Sequence, residues 1–240
     1  MKAYIIHVSD DFARERHINN QLKDKDLEIE FILEGDIKDL TEDILTNLFD
    51  MEFSLAYISC TYKHLLSYKK VIAGSDEVAL VLEDDINLSS NFDAMLGKLM
   101  AEIKERKLSN FLISLEDSMH EYIPRSKRIK GQLIYPADHG RTAGAYLIDK
   151  KGAMGIWDEV NECKVTAPTD WFHNICVKKK RLGIYWSQPT IAIQGSLNGQ
   201  MNSHLSGQEG TLDRIENASI LRVLSVKLQR FYKKILYEFR

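Results

Sequence analysis

The stretch Val78-Ala79-Leu80-Val81-Leu82-Glu83-Asp84-Asp85 constrains this chain more than any other, because an apolar run passes directly into three adjacent acids. A short run rich in Val and Leu reads as a strand covered on both faces, as in sheets flanked by helices. Three carboxylates at its C-terminal end repel one another unless something positive lies among them. Ligands of open α/β sheets bind beyond the carboxyl ends of the strands, and a divalent cation held by oxygen ligands relieves that repulsion. The competing reading is a solvated turn leading to a helix capped at Asn87 or Ser89.

The rest of the chain supplies the layers such a strand needs. Tyr4 to Val8 reads as a strand, Asp11 to Leu22 as a polar helix and Ile29 to Leu33 as a second strand. A helix carrying Ala56, Cys60, Leu65, Leu66, Val71 and Ile72 leads into the acidic strand. Asn91 to Arg106 has helical spacing of Phe92, Met95, Leu96, Leu99 and Ile103, and Phe111 to Leu115 is a further strand. Ala143 to Ile148 is strand-like, Lys150 to about Glu162 helical, Pro168 opens a helix to about Lys179, and Gly183 to Trp186 is a short strand. This rhythm predicts an α/β fold with a central, mostly parallel sheet flanked by helices. Residues 117–140 interrupt it with Pro124, Pro136 and the basic group Arg125, Lys127, Arg128 and Lys130, as either a mobile lid or a surface hairpin.

Composition narrows the function classes. At 240 residues the chain accommodates one large α/β domain or two small ones, and a net charge of −3 offers no general attraction for nucleic acid. Cys60, Cys163 and Cys176 are odd in number and widely spaced, which implies no disulfide framework and suits a reducing compartment. The chain passes from Met1 into a strand-like run without a signal-peptide pattern, and nothing approaches the ~20 apolar residues of a membrane span. A cytoplasmic location is expected. No Gly-x-x-x-x-Gly-Lys-Ser/Thr loop, Asp-x-Asp-x-Thr strand end or Gly-x-Ser-x-Gly elbow occurs, so the common triphosphatases, dehalogenase-type phosphotransferases and serine hydrolases do not fit.

The last 28 residues differ from the rest. Leu221, Leu224, Leu228, Phe231, Ile235 and Phe239 recur at helical spacing, interleaved with Arg222, Lys227, Arg230, Lys233, Lys234 and Arg240. From Leu221 onward only Glu238 opposes them. A domain over 1–212 followed by a basic amphipathic helix over 213–240 is expected. That helix suits the surface of an anionic membrane; the alternative is a helix docked on the domain with its basic face in water.

Several segments together resemble glycosyltransferase family 25, the lipooligosaccharide-type sugar transferases. Tyr4-Ile5-Ile6-His7-Val8 followed by Arg14 is similar to its opening strand and arginine, and Cys60 and His64, with Tyr68, to its Cys-x-x-x-His helix. Val78 to Asp85 resembles its apolar strand ending in Glu-Asp-Asp. Thr142 to Ile148 with Lys151-Gly152-Ala153 looks like its later strand and helix start. Pro168-Thr169-Asp170 is similar to its Pro-x-Asp element, and Ile184-Tyr185 through Pro189 to Gln194 to its closing strand. The likeness runs from residue 4 to about 196. Ser59 stands where the family usually has Gly, Lys63 where it has Ser, and His7 where Asn is common. The resemblance implies a GT-A-type fold, a UDP-linked sugar donor (galactose before other hexoses), a glycan or glycolipid acceptor and inversion at the anomeric carbon. The family, with the lack of a secretory or retention signal, leads to the expectation of a bacterial enzyme, and the basic tail to a place peripheral to the inner face of the membrane.

Such a reaction assigns roles. A divalent ion, Mn²⁺ or Mg²⁺, stabilises the departing diphosphate and prefers carboxylate oxygens. Asp85 is the first expected ligand, with Glu83 sharing the metal or lying nearer the ribose, and His204 completing the set or simply facing solvent. Strand alternation puts Glu83 and Asp85 on one side and Asp84 on the other, unless a turn begins there. Val8, Arg14, His64, Glu83 and Asp84 are the expected donor-binding residues, Arg14 toward the diphosphate. For Arg14 the alternative is a surface salt bridge, and for His64 a satisfied buried histidine. Asp170 is the expected base that accepts the acceptor's hydroxyl proton, with Glu116 and Asp117 as competitors. The alternative for Asp170 is a helix N-terminal acid, with Trp171 in the core. A catalytically degenerate domain serving as a membrane-associated scaffold is the rival reading of the whole, motivated by Ser59 and Lys63.

Overall fold

The computed structural model describes residues 1–118, 121–198, 200–201, 228, 231–232 and 235–236. In chain order the elements are β1 (Lys2–Ile6), α1 (Phe12–Leu22), β2 (Glu28–Ile32), α2 (Glu42–Leu48), α3 (Leu55–Ala73), β3 (Val78–Glu83), β4 (Ile86–Leu88), α4 (Phe92–Arg106) and β5 (Phe111–Ser114). They continue with β6 (Ile134–Ala137), β7 (Ala145–Asp149), α5 (Lys150–Cys163), α6 (Thr169–Lys178), β8 (Gly183–Ser187), β9 (Ala192–Gln194) and α7 (Gly195–Asn198). Seven strands form one sheet in the order β2-β1-β3-β7-β5-β8-β6. Five of them run the same way, and β7 and β6 are reversed. The α/β sheet flanked by helices is as the alternating pattern predicts.

The apolar run of β3 is continuous because both of its faces are covered. Leu80 and Leu82 pack with Ala3, Ile5 and the Phe92, Met95, Leu96, Leu99 and Ile103 stripe of α4 on one side. Ala79 and Val81 pack with Tyr4, Leu65, Tyr68 and Val71 and with Ala153 and Ile156 of α5 on the other. Alternation thus sends successive side chains of one strand into two cores.

Two departures from the sequence reading position the site. The segment after Asp85 is neither a solvated turn nor a helix cap. It enters β4, which pairs antiparallel with β9 as a separate small sheet (Ile86 opposite Gln194, Leu88 opposite Ala192). Residues 117–140 are neither lid nor free hairpin over their whole length, since β6 adds to the edge of the main sheet beside β8. Helix α2 was not legible: at seven residues it is too short to show a repeated apolar face.

Asp149 ties the second half together. Its Oδ1 caps α5 by accepting from Gly152 N at 2.9 Å, and its carboxylate accepts from Asn110 N at 2.7 Å and Phe111 N at 2.8 Å. Asp149→Ala removes a helix cap and strands buried amides at the entry to β5. It should destabilise the fold by about 2–5 kcal/mol, read as a lower urea midpoint, while Asp149→Asn retains part of that loss.

Candidate active site

A cavity of about 680 Å³ opens where β1, β2 and β3 end. Val8 and Arg14 line it from the first strand and helix, Asp36 from the loop after β2, and Glu83, Asp84 and Asp85 from the end of β3. All three acids reach it because the strand stops at Glu83 and the chain turns at Asp84 and Asp85, which ends strict alternation. Asp84 and Asp85 are only 3% and 2% exposed, which excludes a solvated turn.

Each acid meets a different environment. Asp84 accepts from Arg14 Nη1 at 2.7 Å and lies 2.9 Å from His7 Nδ1. Burial works against its charge, but the His7 hydrogen bond and the Arg14 guanidinium outweigh it and hold the carboxyl below the usual range. Arg14 is therefore engaged with Asp84 at the cavity wall, in a pair far more enclosed than a surface salt bridge. Glu83 accepts at Oε2 from Gln194 Nε2 at 2.6 Å, and its Oε1 lies 3.3 Å from His64 Nε2. Burial, then the charges of Asp85 and Asp84, push its carboxyl well above the ordinary range. Asp85 Oδ2 accepts from Ser196 N at 3.1 Å, whereas Oδ1 is buried without a hydrogen-bond partner.

That orphaned oxygen tests whether the site suits a divalent cation. A buried carboxylate oxygen without a partner is costly, and a hard cation is the partner its chemistry prefers. Asp85 fits that role. Asp84 is already paired with the Arg14 guanidinium and hydrogen-bonded to His7, and Glu83 is held by Gln194 and His64. His204 lies outside the described residues.

Gln194 and Ser196 had no signal of their own in the sequence. They reach the acids because β9 pairs with β4, and Gly144 makes room: a Cβ there would sit 2.6 Å from the Gln194 side chain. The departures at Ser59 and Lys63 are structural braces. Ser59 Oγ donates to Gly35 O at 2.7 Å; the buried Lys63 ammonium donates to the carbonyls of Ile32, Leu33 and Glu34 and lies 3.0 Å from Asp36. Together they fasten the loop that carries Asp36 into the cavity wall. Asp36 also accepts from Ser9.

His64 is fully buried and begins a polar ladder. Its Nδ1 lies 2.8 Å from Tyr146 Oη, which is 2.8 Å from Tyr68 Oη, which is 2.7 Å from His173 Nε2. Burial lowers both imidazoles to about 3, so both are neutral. The sequence reading of His64 left a satisfied core residue and a donor contact open; it does not line the cavity but hydrogen-bonds Glu83, which does. Cys60, one turn earlier on α3, places Sγ 4.0 Å from Glu83 Oε1.

Asp170 lies in the first turn of α6, half-buried, with Oδ1 accepting from Trp171 N at 3.0 Å. It is not among the residues lining the main cavity, but its charge acts on Cys60 in that wall and on His64 behind it. Burial raises its carboxyl above the usual value. Trp171 is 61% exposed, so it is not core. The competitor Glu116 is wholly buried and braces β7, accepting from Ala145 N at 2.7 Å and from Thr142 Oγ1; burial raises it to about 8. Cys176, on the helix that Pro168 opens, is buried in the core.

Comparison with known proteins places the chain. A search of curated proteins finds no match. Among solved structures, the galactosyltransferase LgtC in complex with donor and acceptor sugar analogues is 10% identical, with a TM-score of 0.42 over 91% of this chain and 95% of that one. An active-site mutant of LgtC is 11% identical, with a TM-score of 0.40 over 78% of this chain and 72% of that one. The family model described as glycosyltransferase family 25 (LPS biosynthesis protein) matches residues 1–172. That match spans the cavity lining from Ile6 to Asp85, the acidic turn and the first turn of α6, and the protein belongs to glycosyltransferase family 25.

Proposed function

We propose that this glycosyltransferase is metal-dependent and inverting, and moves a hexose from a UDP-sugar to a hydroxyl of a growing lipooligosaccharide or surface glycan. Galactose is the sugar that the sequence resemblance favours. The observation that carries the reading is the buried, unpartnered Oδ1 of Asp85 at the cavity wall, next to two acids whose charges are already dealt with. Asp85 would hold Mn²⁺ or Mg²⁺, which when bound supplies Lewis-acid stabilisation of the departing diphosphate. Val8 and the braced Asp36 loop border the space for the nucleoside. Arg14, fixed by Asp84, brings a positive charge to the same wall, where it favours an anionic donor.

Asp170 is the proposed base. In a single displacement the acceptor oxygen forms its bond to the anomeric carbon, the bond to the diphosphate breaks, and Asp170 takes the hydroxyl proton. Its raised affinity for protons suits that role better than an ordinary surface carboxylate. Trp171, exposed beside it, offers an aromatic face to a sugar ring.

We also propose that residues 213–240 form a separate unit that holds the enzyme on the cytoplasmic face of an anionic membrane. The described tail residues Leu228, Phe231, Tyr232, Ile235 and Leu236 are helical and 37–66% exposed. They share one face, and the sequence interleaves basic residues among them. Among the described residues, no helix is long and apolar enough to cross a membrane.

Three outcomes are expected. With a panel of UDP-sugars, wild-type protein should release UDP from one sugar in Mn²⁺ and not in chelator; Asp85→Asn should lower that rate by about 100-fold or more. Release that ignores both chelator and substitution would remove the metal from the reading. Asp170→Asn should nearly abolish transfer while UDP affinity persists. In wild type the acidic limb of kcat should lie above 3.8, the ordinary Asp value, because the base is lost as pH falls through its raised pKa. Deleting residues 221–240 should release the protein from vesicles containing anionic lipid, and unchanged co-sedimentation would sink the membrane assignment.

A further inference from the structure

At the cavity wall, the thiol of Cys60, the carboxylate of Glu83 and, behind them, the imidazole of His64 converge, with one ligand atom from each lying within 4.8 Å of the others. Two of the three come from successive turns of α3, the i, i+4 spacing that lets one helix chelate an ion, and the third from the end of the neighbouring strand β3. Sulfur and imidazole nitrogen beside one carboxylate oxygen make a borderline-soft donor set, unlike the all-oxygen chemistry of Asp85.

We propose that Cys60, His64 and Glu83 form a second cation site, selective for a thiophilic divalent ion of the Zn²⁺ class and distinct from the Asp85 site.

The surroundings are those of a prepared ligand set. In metal centres a ligating histidine has its other ring nitrogen fixed by a hydrogen bond, and a ligating carboxylate is itself hydrogen-bonded. Both conditions are met. His64 Nδ1 is paired with Tyr146 Oη, and the ladder through Tyr68 to His173 has a consistent direction when Nδ1–H donates to Tyr146, Tyr146 to Tyr68 and Tyr68 to His173 Nε2. That direction leaves the His64 Nε2 lone pair facing Glu83 and Cys60. Glu83 Oε2 is occupied by Gln194, which leaves Oε1 on the side of the cluster.

An entry path exists, since Cys60 and Glu83 both line the cavity while His64 is sealed behind them. Three protein ligands leave a fourth position of a tetrahedral ion directed to the cavity, open to water or to an anionic ligand. Binding needs modest closure, because Cys60 Sγ and Glu83 Oε1 now stand 4.0 Å apart. As the ion binds, the thiol proton of Cys60 and the proton that Glu83 shares with His64 Nε2 both leave to solvent, so uptake is accompanied by proton release. Burial, and after it the surrounding carboxylates, disfavour a thiolate in the ion-free protein; the carboxylates favour the cation once it is there.

Co²⁺ is the probe, because a thiolate bound to it gives a charge-transfer band in the near ultraviolet. One equivalent of Co²⁺ added to full-length protein should produce that band, Zn²⁺ should bleach it, Cys60→Ser should abolish it and Cys163→Ser should leave it intact. No band in wild type, or a band that survives Cys60→Ser, overturns the site. Alkylation of wild-type protein mapped by mass spectrometry serves if Cys60→Ser fails to fold. Zn²⁺ should slow modification of Cys60 by about tenfold or more and leave Cys163 unchanged, whereas Mn²⁺ should protect neither. Equal rates at Cys60 with and without Zn²⁺ overturn the proposal. None of these readouts contains a sugar nucleotide, so the site stands or falls apart from the transferase reading.

Discussion

Three like charges on consecutive residues, two of them almost wholly buried, cannot coexist in a folded interior without compensation, and the molecule compensates each one differently. Asp84 is ion-paired with Arg14 from α1 and hydrogen-bonded to His7, just past the end of β1. Glu83 is held by burial in the proton-binding direction and hydrogen-bonded by His64 and Gln194. Asp85 keeps one oxygen unsatisfied at the cavity. A buried charge that loses its only partner costs several kcal/mol, so these contacts join β1, α1, α3 and β9 energetically to the end of β3. The acidic turn is both the proposed chemical centre and the point on which the surrounding elements close.

Helix α3 carries most of the supporting structure. Its Ser59 and Lys63 are one turn apart and fasten the loop after β2. Its Cys60, His64 and Tyr68, also at four-residue intervals, point toward β3, β7 and α6. A helix with so many buried polar groups is tolerable only because those groups find partners, and the partners are what align the site. The same ladder ends on the helix that presents Asp170 and Trp171, so the donor side and the expected acceptor side share one rigid support.

The substitutions that distinguish this chain from the family pattern now have a physical meaning. Ser59 and Lys63 suggested a degenerate domain when read as letters in a motif. In the folded protein they add hydrogen bonds and an ion pair behind the cavity wall and leave Asp85 and Asp170 untouched. His7 likewise supplies a partner for Asp84.

Much of the architecture was legible in the chain because it rests on local periodicity. The doubly covered β3, the apolar stripe of α4, the buried Cys176 and the α/β class follow from which residues can leave water. That Val8 and the acids Glu83 to Asp85 come to one cavity was legible too, since they lie at or just past the ends of the paired strands β1 and β3. What the sequence by itself could not determine is which atom partners which. Gln194 and Ser196 meet Glu83 and Asp85 only through the β4–β9 pairing, across more than a hundred residues. The ladder from His64 to His173 likewise needs α3, β7 and α6 packed together. Local pattern sets the elements, because propensity and burial act over a few residues. Tertiary packing alone decided that Asp84 is spent on Arg14, that Glu83 faces Cys60 and His64, and that Asp85 keeps one oxygen without a partner, because charge compensation depends on distances in space.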